Sequence, residues 1–236
     1  NLCSDRDMIG MNRQGAFAQY MTIPERCLID APKDMDPNHI ALTEPAATVI
    51  HAVNIAVKES YLPIQECQVL VIGAGAIGLL TALLLKSYGV KMQVLETNLA
   101  RHPCVKEHVG IEAMNPMTQT LNNNNFDIVI DCVGSEKTSS LSFETVKTGG
   151  VIINVGLQSW TSSINIRKLT LEEIKLIGCY TYSMEDFKSA LKTIESGKFG
   201  NLSWIKELPL SDANLAFRQL HDDRMSSAKV ILKPHL

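Results

Sequence analysis

Three glycines spaced Gly73-x-Gly75-x-x-Gly78 follow directly on the apolar run at residues 67–72 and precede an apolar helical stretch at 77–88. Where a strand meets a helix, this spacing permits a tight turn at Gly73, close approach of a pyrophosphate at Gly75 and close helix-to-strand packing at Gly78. The unpaired N–H groups and positive dipole of a helix beginning near Ala76 and Ile77 then favour phosphate charge. Glu96 ends the next apolar run, 18 positions after Gly78. A carboxylate there accepts from the 2'-hydroxyl of an adenosine ribose and repels a 2'-phosphate, which favours NAD over NADP. Arg101 is the competing signal, because a guanidinium close by could serve a 2'-phosphate, and a solvated acid at a strand end is the lesser reading of Glu96.

These residues need a parallel sheet to hold them, and the surrounding pattern supplies one. Strand-length apolar runs at 67–72, 92–95, 126–131 and 151–155 alternate with helical stretches at 77–88, near 101–108 and near 138–146, with a short run at 111–113. Such alternation predicts strands covered on both faces by helices. A further helical segment from Ala41 to about Lys58 precedes the series, and Tyr61-Leu62-Pro63 breaks it. Short β-like runs at 16–23 and 27–29 end at prolines and have too few apolar residues to form a core alone. After about Gly178 come two amphipathic helices, 184–196 and 211–220, and a last strand at 228–232. The expected fold is α/β: a doubly wound domain at 45–180, flanked by segments 1–44 and 181–236 that belong to a second domain. The asparagine run 122–125 reads as a surface turn.

Composition narrows the function classes. The chain has 236 residues, 45% hydrophobic and 20% charged, with a net charge of -3, so neither disorder nor general attraction to nucleic acid or anionic lipid is expected. The most apolar stretch, 69–85, is too short and too interrupted to span a bilayer. Six cysteines, at 3, 27, 67, 104, 132 and 179, form no C-x-x-C pair, and no secretory h-region opens the sequence. This suits a reducing cytoplasm. The opening Asn1-Leu2-Cys3 has no initiator Met and resembles the inside of a domain, so a fragment is expected.

Several segments together resemble the medium-chain, zinc-type alcohol dehydrogenase family, especially its polyol, sugar and threonine dehydrogenase branch. Gly15 to Tyr20 resembles that family's "GAFAEY" strand, with Gln19 in place of its usual Glu. Glu44 to Val53 resembles its "EPLAVALHAV" helix start, and Asn1-Leu2-Cys3 the end of its structural-zinc lobe. Gly149-Gly150-Val151-Ile152 and Ala228 to Leu232 fall at its glycine pair and final strand.

The resemblance implies hydride transfer from a small alcohol or polyol to NAD, with a catalytic zinc as Lewis acid. It also implies a Rossmann domain joined to the incomplete remainder of a mostly β, GroES-like catalytic domain. Glu44 matches a zinc-ligand position, although a carboxylate in the first helical turn has a structural use too. Cys3 matches one ligand of a four-cysteine structural zinc, which a single thiolate cannot hold. Thr48 matches a residue beside the nicotinamide, and Val133-Gly134 and Val155-Gly156 match turns that contact its ribose and carboxamide. Lys229 sits where relatives place a cation near the pyrophosphate, and His51 could join a proton relay or be a hydrogen-bonded structural histidine. The stretch 90–97 is one residue short of the common pattern, which leaves Glu96 and Thr97 as alternatives for the ribose position.

This chain is therefore expected to bind NAD, to lack zinc and turnover by itself, and to pair with a second copy through an outer strand at 174–179. The alternatives are a non-catalytic NAD-binding protein and a zinc-free, quinone-type reductase of the same superfamily. The second is argued against by Glu44-Pro45 and Asn1-Leu2-Cys3.

Overall fold

A computed structural model describes residues 1–121, 123–222 and 225–235. Five strands form a parallel sheet in the order β2-β1-β3-β4-β5: β1 Gln68–Ile72, β2 Lys91–Leu95, β3 Phe126–Asp131, β4 Val146–Asn154 and β5 Lys175–Gly178. The chain leaves β1 in one direction to form β2 and returns to the other side of β1 for β3. The order thus reverses between β1 and β3, and at such a switch point the loops after the two strands diverge and leave a crevice.

The strands are apolar runs because both faces are covered. Alternate side chains, Val69, Val71, Ile128, Ile130, Val151 and Ile153, enter one core. Leu70, Ile72, Val129 and Ile152 enter the other. Helices α1 Thr43–Glu59 and α2 Ala76–Ser87 cover the first face, and α3 Glu136–Thr145 and α4 Ile166–Leu171 lie in the chain after β3 and β4. In α2 eight consecutive residues, Gly78 to Leu85, are buried. Each leucine fully removed from water there contributes about 1.5–3 kcal/mol. Helix α5 Met184–Glu195 packs along α1 and brings Ala190 and Ile194 into the first core. Its start is fixed by a capping box between Ser183 and Asp186.

A separate two-stranded parallel sheet pairs β6 Ile205–Pro209 with β7 Lys229–Lys233, with helix α6 Ala213–His221 between them. The N-terminal segment meets this unit, since Phe17 packs edge-on against Phe217 and Tyr20 against His235.

One sequence expectation needs correction. The β-like runs at 16–23 and 27–29 are not strands; Glu25–Cys27 forms a 3-10 turn, and Phe17, Tyr20 and Leu28 are 68%, 86% and 57% exposed. A strand requires a hydrogen-bonding neighbour, and none of the described residues supplies one there. The helical stretch expected near 101–108 forms as contiguous turns of changing pitch, Leu99–Arg101, His102–Cys104 and a wide π-type turn Val105–Val109. Pro103 lies in the first turn of the middle piece, where its missing N–H costs no hydrogen bond. After the short run at 111–113, Met114 bridges to Leu95. Strand β6 carried no recognised signal in the sequence, because its five residues Ile-Lys-Glu-Leu-Pro hold two adjacent charges and a closing proline in place of a continuous apolar run. Of the asparagine run, Asn124 lies in a left-handed turn at φ 51°, and Asn122 lies outside the described residues.

Candidate functional site

The glycine turn sits at the carboxyl end of β1, against the turn that follows β3. Gly73 has φ +91°, and a Cβ there would lie 2.7 Å from Val133 Cγ2. A Cβ on Gly78 would fall 1.8 Å from the carbonyl oxygen of Gly73, so only glycine lets α2 approach the turn this closely. Gly75 differs from both. Its φ of -69° suits any residue, it caps α2 with no side-chain hydrogen bond, and nothing lies within 4 Å of an added Cβ. Neither a left-handed backbone nor a close neighbour demands a glycine at 75; it has the modest advantage of glycine at an N-cap, and it leaves the helix N-terminus open to the approach of an external group. Ala76 and Ile77 follow it, partly exposed, in the first turn of α2.

Glu96 emerges from β2 beside this turn and is only 6% exposed. Its Oε2 accepts from the Ala74 N–H at 2.8 Å, its Oε1 accepts from the Asn98 N–H at 2.8 Å, and Arg101 Nη1 is 3.6 Å from Oε2. The carboxylate therefore meets two backbone donors and a guanidinium, with lone pairs to spare for a hydroxyl. Thr97, the other candidate, is exposed. His102 Nε2 donates to the Glu96 carbonyl oxygen at 2.8 Å and pins the strand end from behind.

The turns after β3 and β4 interlock. Gly134 has φ +69°, a Cβ on it would meet Gly156 O at 2.0 Å, and a Cβ on Gly156 would meet the Val133 carbonyl carbon at 2.1 Å. Asp131 organises both turns: its Oδ1 accepts from the N–H groups of Val133 and Gly134, both at 2.9 Å, and its backbone oxygen accepts from Val155 and Gly156 at 2.9 and 3.0 Å. Asp131 was not singled out in the sequence. The available signal was an acid closing the otherwise apolar run Phe126-Asp127-Ile128-Val129-Ile130-Asp131, two residues before Val133-Gly134.

On α1, Glu44, Thr48 and His51 are spaced by four and three residues and so share one side of the helix. Glu44 is exposed, while Thr48 and His51 are partly buried. His51 Nδ1 lies 2.9 Å from Asp186 Oδ2, and Asn54 Nδ2 donates to Asp186 Oδ1 at 3.2 Å, which braces α1 against α5. Burial opposes ionisation of Asp186, but the Ser183 N–H and hydroxyl and the neighbouring His51 outweigh it and hold the carboxyl below its ordinary pKa. Burial first, and the nearby Glu44 carboxylate second, push the Tyr182 phenol well above the ordinary range.

The remaining expected positions lie on other elements. Cys3 is exposed, and among the described residues no group of three His, Cys, Asp or Glu side chains is placed to hold a metal ion. Glu44 and Cys3 are thus not joined by further ligands, and the described residues do not fit a zinc site by themselves. Lys229 opens β7 in the second sheet, whereas the glycine turn belongs to the first. No helix among the described residues is long and apolar enough to cross a membrane.

Comparison with known proteins agrees with this geometry. Residues 76–196 match the family described as zinc-binding dehydrogenase. The chain is 26% identical to (R,R)-butanediol dehydrogenase of Saccharomyces cerevisiae over 256 aligned positions, covering 100% of this chain and 65% of that enzyme. The fold superposes on acetophenone reductase from Geotrichum candidum in complex with NAD, with a TM-score of 0.87, 21% identity, and coverage of 98% of this chain and 66% of the other. It also superposes on a Sinorhizobium meliloti protein bound to NADP, with a TM-score of 0.80, 23% identity, and coverage of 91% and 65%. The chain spans just under two thirds of the length of the yeast relative.

Proposed function

The chain belongs to the zinc-binding dehydrogenase family, and on that premise we propose that it binds NAD and serves the oxidation of a secondary alcohol, of the polyol, sugar or sugar-acid class, by hydride transfer. The observation that carries this reading is Gly75, a glycine that neither a left-handed backbone nor a close neighbour demands, at a helix N-terminus beside a buried Glu96. In this reading the Gly73 to Gly78 turn and the N–H groups of Ala76 and Ile77 hold the pyrophosphate. Glu96 accepts from the adenosine ribose. Its charge, already paired with Arg101 at 3.6 Å, opposes a 2'-phosphate and leaves the guanidinium less able to recruit one.

The interlocked turns Val133-Gly134 and Val155-Gly156 form a rigid shelf for the nicotinamide end, with Thr48 on the neighbouring helix. When bound, NAD would supply the hydride acceptor for converting a secondary alcohol to a ketone, with one proton released to solvent. The described residues orient the cofactor, and no step of theirs is assigned to zinc. A second reading, a protein that binds NAD without chemistry, draws on the nearness of Glu44 to Tyr182 and on the lack of a metal cluster among the described residues. Pairing of two copies through β5, an edge strand of the sheet, belongs to the proposal, and light scattering showing only monomer counts against it.

The direct test is calorimetric titration with NAD and, separately, NADP. The expected result is binding of NAD, weaker binding of NADP, and loss of that preference in Glu96→Ala. Binding of neither dinucleotide by the folded chain refutes the proposal. NAD-dependent oxidation of any alcohol would defeat the second reading.

A further inference from the structure

On the face of the sheet away from α1 and α2, the last register of β3, β4 and β5 aligns Asp131, Asn154 and Gly178. Two residues earlier the same face carries Val129, Ile152 and Leu176, which pack in the second core. The change from an apolar row to a polar one coincides with a cavity of about 370 Å³ lined by these three strand ends, by Ser142 of α3, and by residues 156–164 of the following loop.

Two polar atoms at this cavity have no protein partner. Asp131 is 1% exposed; its Oδ1 takes both turn N–H groups, and its Oδ2 is buried without a donor. The hydroxyl of Ser162, in the covering loop, is likewise buried and unpartnered. A buried carboxylate oxygen accepts hydrogen bonds and cannot donate them, so its complement is a ligand hydroxyl or ammonium. The lining contains no basic side chain and several groups that both donate and accept, among them Ser142, Asn154 and Ser162. Anions are disfavoured in such a place, and a neutral molecule with several hydroxyls satisfies the carboxylate and the hydroxyls together. Gly178 supplies the room, since a Cβ there would meet nothing within 4 Å.

We propose that this cavity, behind the Gly134–Gly156 shelf and on the opposite side of the sheet from α2, is a second small-molecule site that takes a small neutral polyol. It shares Gly134 and Gly156 with the shelf assigned to the nicotinamide end, while the glycine turn and Glu96 take no part in it.

The test is a titration of the isotopically labelled chain with xylitol, followed by amide chemical shifts. A ligand of about ten heavy atoms should saturate in the ~1–10 mM range. The expected result is saturable shifts at Gly134, Asn154, Ser162 and Gly178, abolished in Gly178→Leu, whose side chain fills the open space. If that variant does not fold, Ser162→Leu blocks the cavity from the partly exposed loop. Shifts that are absent up to ~50 mM, that persist in the blocked variant, or that scatter over the surface overturn the proposal. So does a response to methylammonium with none to xylitol. NAD shifts at Gly73 to Gly78, read on the same sample, report the cofactor site separately.

Discussion

Replacing Gly75 with valine separates a demand of the fold from a demand of a ligand. The site of the new Cβ is open for 4 Å, and the backbone at φ -69° is allowed for any residue. On the folded side the variant loses glycine's advantage at a helix N-cap, about 1 kcal/mol or less. It regains about 0.4–1 kcal/mol because the unfolded chain is less free. Net stability should therefore move by less than about 1 kcal/mol, or ~4 °C in melting temperature for a chain of this size. Binding should suffer much more, since a branched side chain occupies the space of the approaching pyrophosphate. A steric cost of about 1–3 kcal/mol corresponds to roughly 5- to 150-fold weaker NAD affinity.

The paired control is Gly78→Ala, where the Cβ would lie 1.8 Å from Gly73 O and the helix must move off the turn. That change should cost at least about 1–3 kcal/mol of stability. Thermal melts and calorimetric NAD titrations of both variants decide the matter. A Gly75→Val protein that melts normally and binds NAD as tightly as the parent refutes the assignment of the turn to a pyrophosphate.

The Asp186 carboxyl is held below its ordinary pKa, so its contribution is complete above about pH 4–5 and is lost as pH falls through the depressed value. Stability should drop on acidification, and Asp186→Asn should flatten the dependence of melting temperature on pH below 4; equal slopes would contradict this. Burial raises the thiol pKa of Cys67, and raises Cys104 and Cys179 to about 11 and Cys132 to about 12, whereas Cys3 is exposed. With a disulfide reagent at pH 8 the native chain should therefore show Cys3 among its fast thiols and those four slow, with all six reacting after denaturation; rapid labelling of Cys132 would disprove the packing at the end of β3.

The parts of the fold legible in the sequence are those set by local periodicity. Runs such as Val69 to Ile72 are buried on both faces, and eight successive residues of α2 are buried, so apolar continuity alone located them. The glycine turn was readable because each glycine answers a separate geometric need. What local pattern could not show was pairing. Residues 16–23 have strand-like composition and no partner, while Ile205–Pro209 has weak composition and gains its place from β7, more than 20 residues later. Asp131 escaped notice for a related reason, since the Gly156 N–H that its backbone oxygen accepts lies 25 positions downstream. The brace between His51 and Asp186 likewise joins residues 135 positions apart. The choice between Glu96 and Thr97 rested on a one-residue register, which the buried carboxylate and its Ala74 contact distinguish spatially.

The mutual fit of Gly134 and Gly156 constrains how this sequence can drift. A Cβ at either position collides with backbone of the other turn, at 2.0 and 2.1 Å, so each residue forbids substitution of its counterpart. No stepwise exchange relieves the clash, because backbone atoms cannot be trimmed by a compensating mutation. Each turn therefore keeps its glycine for as long as the other turn's backbone stays where it is, whatever side chain that backbone carries.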